Sequence, residues 1–284
     1  MSIVVTGATG QLGRLVVESL LARGVPADQI VAAGRNADRL AELARTGVRT
    51  AEIDFGDPAT MKEAFVGADA LLLVSANVPG HRVEQHRNAI DAAKEAGIGR
   101  IVYTSAPKAT TSPLVLAPEH KATEEIIAAS GLPSTILRNG WYHENQLPAL
   151  EQARSTGEIV ASVGDGRTAS ASRQDFAEAA AVVLTENGHL GKVYELSGDK
   201  AWDYTELAAT FSDILGRTVV YRSVTPEEHR QILLDAGLDE ATAGFVVALD
   251  GNTRDGLLAE TSDELRTLIG RPTTPLAQGL RAAI

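Results

Sequence analysis

The segment IVVTGATGQLG places glycines at 7, 10 and 13, where a short apolar run gives way to a helical pattern. A strand that turns directly into a helix leaves the first helical N–H groups unpaired and brings the positive end of the helix dipole to the turn, a ready site for phosphate. Glycine at 7 permits the tight turn, at 10 lets a pyrophosphate approach the backbone, and at 13 lets the helix lie close against the strand. Thr9, Gln11 and Leu12 fall in the same turn and are expected to share in binding. The spacing, Gly-x-x-Gly-x-x-Gly, differs by one residue from that of the simplest dehydrogenases, and three glycines alone are weak evidence. Their place at the first strand-to-helix turn of a βαβ unit makes the dinucleotide reading strong.

The end of the second strand bears on which dinucleotide. An acid there would accept from a ribose 2′-hydroxyl, but this chain reads AAGRN, with Arg35 at the turn. A guanidinium can grip a 2′-phosphate through paired hydrogen bonds, whereas an acid would repel it, so the expected cofactor is NADPH. Asp54, at the end of the third strand, is placed to accept from an adenine amino group or to cap its own loop. Ser75 and Asn77, after the fourth strand, are expected to line the central stretch of the cofactor.

These residues need a frame that brings strand ends together. Short β-branched runs at 3–5, 29–34, 48–53, 70–75, 100–105 and 134–138 alternate with amphipathic stretches such as LGRLVVESLLARG and HRNAIDAAKEAG. Apolar strands without polar alternation, separated by helices, indicate a Rossmann-type α/β fold with a doubly wound parallel sheet. The rhythm changes after Asn139, and the remainder, with an alanine-rich helix over 175–186 and strands at VYEL and TVVYR, reads as a smaller C-terminal α/β lobe. The expected division is 1–145 and 146–284, with a soft boundary because such chains pass back and forth between lobes.

Composition excludes several classes. With 26 Lys and Arg against 37 Asp and Glu, the net charge of −11 opposes nucleic-acid binding. The absence of cysteine removes disulfides, thiolate catalysis and Cys-based metal sites. The six histidines lack the i, i+4 spacing of a helical zinc pair, so no metal is expected. No apolar run approaches the roughly 18 residues that span a bilayer, which suggests a cytoplasmic protein and is compatible with a homo-oligomer.

TGATGQLG, AAGRN, YTSA and above all LRNGWYHEN resemble the atypical, NmrA-like branch of the short-chain dehydrogenase/reductases. QHRN (85–88), TSPL (111–114), KVYEL (192–196) and LIGRPTT (268–274) extend the resemblance along nearly the whole chain, towards bacterial NAD(P)H:quinone oxidoreductases of the short-chain type. The resemblance implies NADPH, a cleft between the lobes, and a small aromatic acceptor such as a quinone. It also implies a role for His120 as general acid, the position at which some reductases of this branch use a lysine.

One departure bears on the chemistry. Members that interconvert alcohols and ketones use Tyr-x-x-x-Lys to move a proton, and none of the five tyrosines here is followed by lysine four places on. Ala117 and Lys121 stand at that spacing instead. A quinone that accepts hydride becomes a phenolate-like anion whose conjugate acid has a pKa of about 10, so it takes its proton from water. Its reduction needs proximity, orientation and donors to the developing anion, not a tuned tyrosine. Asn139 is the expected donor to nicotinamide or acceptor, Gly140 lets the backbone approach the ring, and Trp141 and Tyr142 offer flat faces to the acceptor or seal the lobe interface. Two other readings compete: an NADP-binding redox sensor that turns nothing over, and a nucleotide-sugar epimerase or dehydratase, which would need the missing tyrosine.

Overall fold

Every residue of strand β1 (Ile3–Val5) is buried, as an apolar run covered on both faces requires. In the computed structural model, which describes residues 1–76, 78 and 80–284, β1 lies inside a seven-stranded sheet. The chain continues through α1 (Gln11–Ala22), β2 (Ile30–Gly34), α2 (Ala37–Ala44), β3 (Arg49–Glu52), α3 (Pro58–Phe65), β4 (Ala70–Leu73), α4 (Arg82–Glu95), β5 (Arg100–Ser105), α5 (Ala117–Ser130) and β6 (Ser134–Asn139). Beyond β6 come α6 (Leu147–Thr156), β7 (Glu158–Ala161), β8 (Arg167–Thr168), α7 (Arg173–Thr185), β9 (Val193–Leu196), β10 (Trp202–Asp203) and α8 (Tyr204–Leu215). The chain ends with β11 (Val220–Ser223), α9 (Pro226–Asp235), α10 (Glu240–Arg254), α11 (Glu264–Ile269) and α12 (Leu276–Ala282).

The large sheet runs β3-β2-β1-β4-β5-β6-β9, with every pair parallel. Strand order reverses between β1 and β4, so a crevice opens there at the carboxyl ends of the strands. One face of the sheet is covered by α1, α7 and α11, which contribute Val16, Leu20, Phe176 and Leu265 to a buried cluster. The other is covered by α3, α4 and α5 around Met61, Phe65, Ile90 and Ile127. A separate core of Leu150, Trp202, Leu207, Phe211 and Leu280 holds the smaller lobe. That lobe carries two short strand pairs, β7 with β11 and β8 with β10.

The strand VYEL does not belong to that lobe. It is β9, the seventh strand of the large sheet, in register with β6 from Ile136↔Val193 to Asn139↔Leu196. The alanine-rich helix α7 before it lies along α1, where Ala177, Ala179, Ala180 and Ala181 are almost wholly buried and their small side chains allow close approach. Residues 173–196 and α11 thus return to the large sheet, and a cut at 145/146 does not separate the two cores. The motif LIGRPTT ties the C-terminal segment to α7: Arg271 pairs with Asp175 and Glu178 at 2.8 and 2.6 Å, and the Thr274 N–H and hydroxyl both donate to Asp175 at 2.9 Å. Among the described residues no helix is long and apolar enough to cross a membrane.

Candidate active site

The glycine turn has the geometry its spacing predicts. Gly7 takes φ +61°, and a Cβ on Gly13 would lie 2.3 Å from the Gly7 carbonyl oxygen, so α1 can follow its path only with glycine there. The first N–H in α1 to reach back is that of Arg14, to the Gly10 carbonyl at 3.1 Å. The N–H groups of Gln11, Leu12 and Gly13 are therefore left for an anion. They open on a cavity of about 600 Å³ at the switch point of the sheet, lined by Gly7, Thr9, Gly10, Gln11, Leu12, Gly13, Arg35, Asp54 and Ser75, nine of the positions expected from the sequence. Asn77 lies outside the described residues.

Arg35 is exposed on the cavity wall and, among the described residues, forms no ion pair. Its neighbour Arg39, which nothing in the local sequence marks, also lines the cavity and donates to the Thr9 carbonyl at 2.8 Å. Thr9 fills the space a side chain on Gly34 would need, its Oγ1 lying 2.6 Å from an added Cβ. Arginine and glycine together therefore hold the phosphate turn. Asp54 uses Oδ1 to accept the Gly56 N–H at 2.8 Å, so it caps its own turn while lining the cavity. The Ser75 N–H donates to Thr104 Oγ1 at 2.9 Å.

At the end of β6, Asn139 is 6% exposed and donates through Nδ2 to the Tyr142 hydroxyl at 3.3 Å. Its Oδ1 is buried without a hydrogen-bond partner. A lone buried acceptor is costly unless something outside the protein satisfies it. Arg138, beside it, bonds Glu124 on α5 at 2.7 Å and Glu195 on β9 at 2.8 Å, fixing the end of the strand. Gly140 allows the chain to pass β9: an added Cβ would stand 2.8 Å from the Leu196 carbonyl.

The two aromatics of the loop part company. Trp141 lines a second cavity of about 250 Å³, between the loop after β5 (Lys108, Ser112, Pro113) and the segment after α10 (Leu257, Leu258, Glu260). Lys108 and Glu260 form an ion pair that joins those two walls. Tyr142 instead packs edge-on against Phe176 at 5.1 Å, with the Arg173 guanidinium 5.1 Å from its ring centre, and burial raises its phenol pKa. Gly140 and Trp141 wall the smaller cavity, Arg173 over the Tyr142 ring walls the larger one, and Asn139 and Tyr142 themselves line neither. The second cavity's wall from the C-terminal half carried no local signal in the sequence.

His120 lies elsewhere. It is 5% exposed, its Nδ1 is 2.7 Å from the hydroxyl of the fully buried Tyr103, and it is not among the residues lining either cavity. Burial, with the Arg82 charge adding to it, pushes its pKa down to about 3, so at neutral pH it is an uncharged imidazole and not a proton-loaded acid. The helical spacing that places Lys121 four residues after Ala117 leaves the lysine exposed. Among the described residues, no three His, Asp or Glu side chains gather as a metal site.

A family model described as NAD(P)H-binding matches residues 7–187, from the glycine turn through α7. The chain belongs to the NAD(P)H-binding, NmrA-like family. Quinone oxidoreductase 2 of Escherichia coli is 46% identical over 98% of this chain and 97% of its own. The crystal structure of the NADPH-dependent quinone oxidoreductase of E. coli complexed with NADPH superposes with a TM-score of 0.94 at 45% identity, covering 99% of both chains. The triphenylmethane reductase of Citrobacter sp., complexed with NADP(H), reaches a TM-score of 0.91 at 38% identity over the whole of both chains. The residues of this NmrA-like chain fit a dinucleotide on their own account: a side-chain-free cradle under the turn, unpaired helix N–H groups, and two arginines, Arg35 and Arg39, on the cavity wall.

Proposed function

We propose that this protein is an NADPH-dependent quinone oxidoreductase that works without flavin. The observation that carries the reading is the loop after β6, whose Gly140 and Trp141 wall the smaller cavity and whose Tyr142 packs under Arg173, a wall of the larger one. The larger is the dinucleotide space; the smaller, with Trp141 in its wall, is of a size suited to a small planar acceptor. The bound nicotinamide supplies the hydride. Asn139 Oδ1 is the acceptor that orients a carboxamide, Gly140 keeps the wall thin, and Trp141 presents a flat face. Tyr142 serves by holding Asn139 Nδ2, not by facing the acceptor. The loops around Lys108 and Glu260 exclude water from the smaller space.

No side chain needs to deliver a proton, because the reduced quinone takes one from water. His120, neutral and paired with Tyr103, braces β5 against α5. A sensor reading would leave the second cavity without a task, and the names of the relatives above are those of reductases. The test follows NADPH oxidation by flavin-free protein with benzoquinone- and naphthoquinone-type acceptors. Turnover is expected in the unaltered protein. Asn139→Ala is expected to slow it about tenfold to a hundredfold, the effect of losing an orienting hydrogen bond, and Trp141→Ala chiefly to raise KM for the quinone. NADPH binding with no oxidation of any acceptor would replace the enzyme by the sensor.

A further inference from the structure

The motif QHRN sits on the first two turns of α4, outside the turn that binds phosphate and outside the acceptor space. Gln85 lines the larger cavity itself. His86, wholly buried, accepts the Ala76 N–H through Nε2 at 2.9 Å, and Asn88 Nδ2 donates to the Phe55 carbonyl at 2.9 Å. Ala76 and Phe55 are both walls of the same cavity, one after β4 and the other after β3. One turn earlier on α4, Arg82 Nε donates to the Ala76 carbonyl at 2.7 Å. Both polar atoms of Ala76 are therefore held by a single helix.

That helix is itself locked from behind. With Nε2 accepting, His86 carries its proton on Nδ1, which donates to Thr123 Oγ1 at 2.9 Å; Thr123 in turn donates to the Glu119 carbonyl at 2.9 Å. Arg82 pairs with the Glu119 carboxylate at 2.7 Å. Phe55 completes the arrangement by meeting the His86 ring edge-on at 6.2 Å. Val74, two residues before Ala76, packs beneath Gly7, where an added Cβ would lie 3.3 Å from Val74 Cβ. A displacement of the 74–76 segment would thus reach the phosphate turn.

We propose that His86 and Asn88 are positioning residues for the cofactor: through them α4, anchored on α5, holds the walls after β4 and β3 in the spacing that admits the dinucleotide. This rests on the reading of the larger cavity as the NADPH site. Removing the acceptor at His86 leaves the Ala76 N–H either unpaired or turned toward water, and in both cases the wall moves.

The test measures the Kd of NADPH by quenching of protein fluorescence, and the melting temperature without NADPH. His86→Leu is expected to raise Kd at least about tenfold, the equivalent of one buried hydrogen bond. His86→Gln, whose Oε1 falls near the position of Nε2, is expected to restore most of that loss. Asn88→Ala is expected to raise Kd severalfold while the melting temperature without NADPH stays unchanged. A simple structural role would not produce that last separation. Equal Kd in the unaltered, His86→Leu and Asn88→Ala proteins overturns the proposal, as does a Gln variant no better than Leu. If His86→Leu does not fold, Asn88→Ala decides alone. Failure of the unaltered protein to bind NADPH would instead strike the reading of the cavity, so the two failures are distinguishable.

Discussion

Arg35 and Arg39 stand four residues apart on the same cavity wall but have different partners, and this separates their roles. Arg39 is committed to the Thr9 carbonyl, so it supports the turn under any phosphate of either cofactor. Arg35 has no such protein tie among the described residues and is available to the 2′-phosphate that distinguishes NADPH from NADH. Arg35→Asp should therefore raise the Kd of NADPH by about thirtyfold or more, through lost charge-assisted bonds and added repulsion, and leave that of NADH within a few-fold. Arg39→Met should weaken both cofactors alike. Titrations of each variant with each cofactor check this, and a loss confined to NADPH in the Arg39 variant would reassign the 2′ site to that residue. At the end of β6, Trp141 walls the smaller cavity while its neighbour Tyr142 packs against Phe176 and Arg173, a difference their adjacency in RNGWY could not reveal.

The glycine turn is the element whose role was plainest in the sequence, because everything it requires is local: a strand end, a tight turn and a helix start within eleven residues. Its stability consequence is equally local. Gly13→Ala would press a methyl group into the Gly7 carbonyl, 2.3 Å away, and force α1 outward from β1. Overpacking of this kind costs about 1–3 kcal/mol, so the melting temperature should fall by roughly 2–10 °C. NADPH affinity should fall with it, because the helix carries the N–H groups of Gln11 and Leu12. An alanine variant with unchanged melting and binding would show that α1 can retreat freely. The six leading strands were readable for the same local reason. The place of β9 was not, since VYEL reaches β6 only after α6, two short strands and α7, and nothing in its own residues says which sheet it joins. The wall at 256–262 likewise carries no local signal, and the general-acid role that resemblance implies for His120 does not fit its burial against Tyr103.

The packing of α4 and α5 onto the sheet buries histidines along with the cofactor's supports, and this sets how the whole molecule should respond to acid. His86 and His120 both have pKa values lowered to about 3, first by burial, with the Arg82 charge adding to each and His120 adding to His86. Glu119 on α5 pairs with Arg82, and Tyr103 on β5 meets both histidine rings. An unfolded chain protonates these imidazoles near pH 6.5, while the folded one refuses the proton until far lower. Between those values the unfolded state binds more protons, so stability rises with pH and falls as pH is lowered. Above about pH 6.5 both states are neutral at these sites and the dependence should vanish. Each histidine contributes up to about 1.4 kcal/mol per pH unit, and two together can remove about 5 kcal/mol by pH 4.5, a large share of the 5–15 kcal/mol typical of a domain. Urea unfolding from pH 8 to 4.5 should show a flat region and then a decline starting near pH 6.5. His86→Gln, which keeps an acceptor for Ala76 and cannot titrate, should make that decline shallower. Because folded His86 stays neutral until about pH 3, its Nε2 goes on accepting the Ala76 N–H across this range, so the Kd of NADPH for the folded protein should not rise through His86 between pH 8 and 4.5 while the stability falls. A decline identical in both proteins would place the acid-sensitive group elsewhere than beside the cofactor wall.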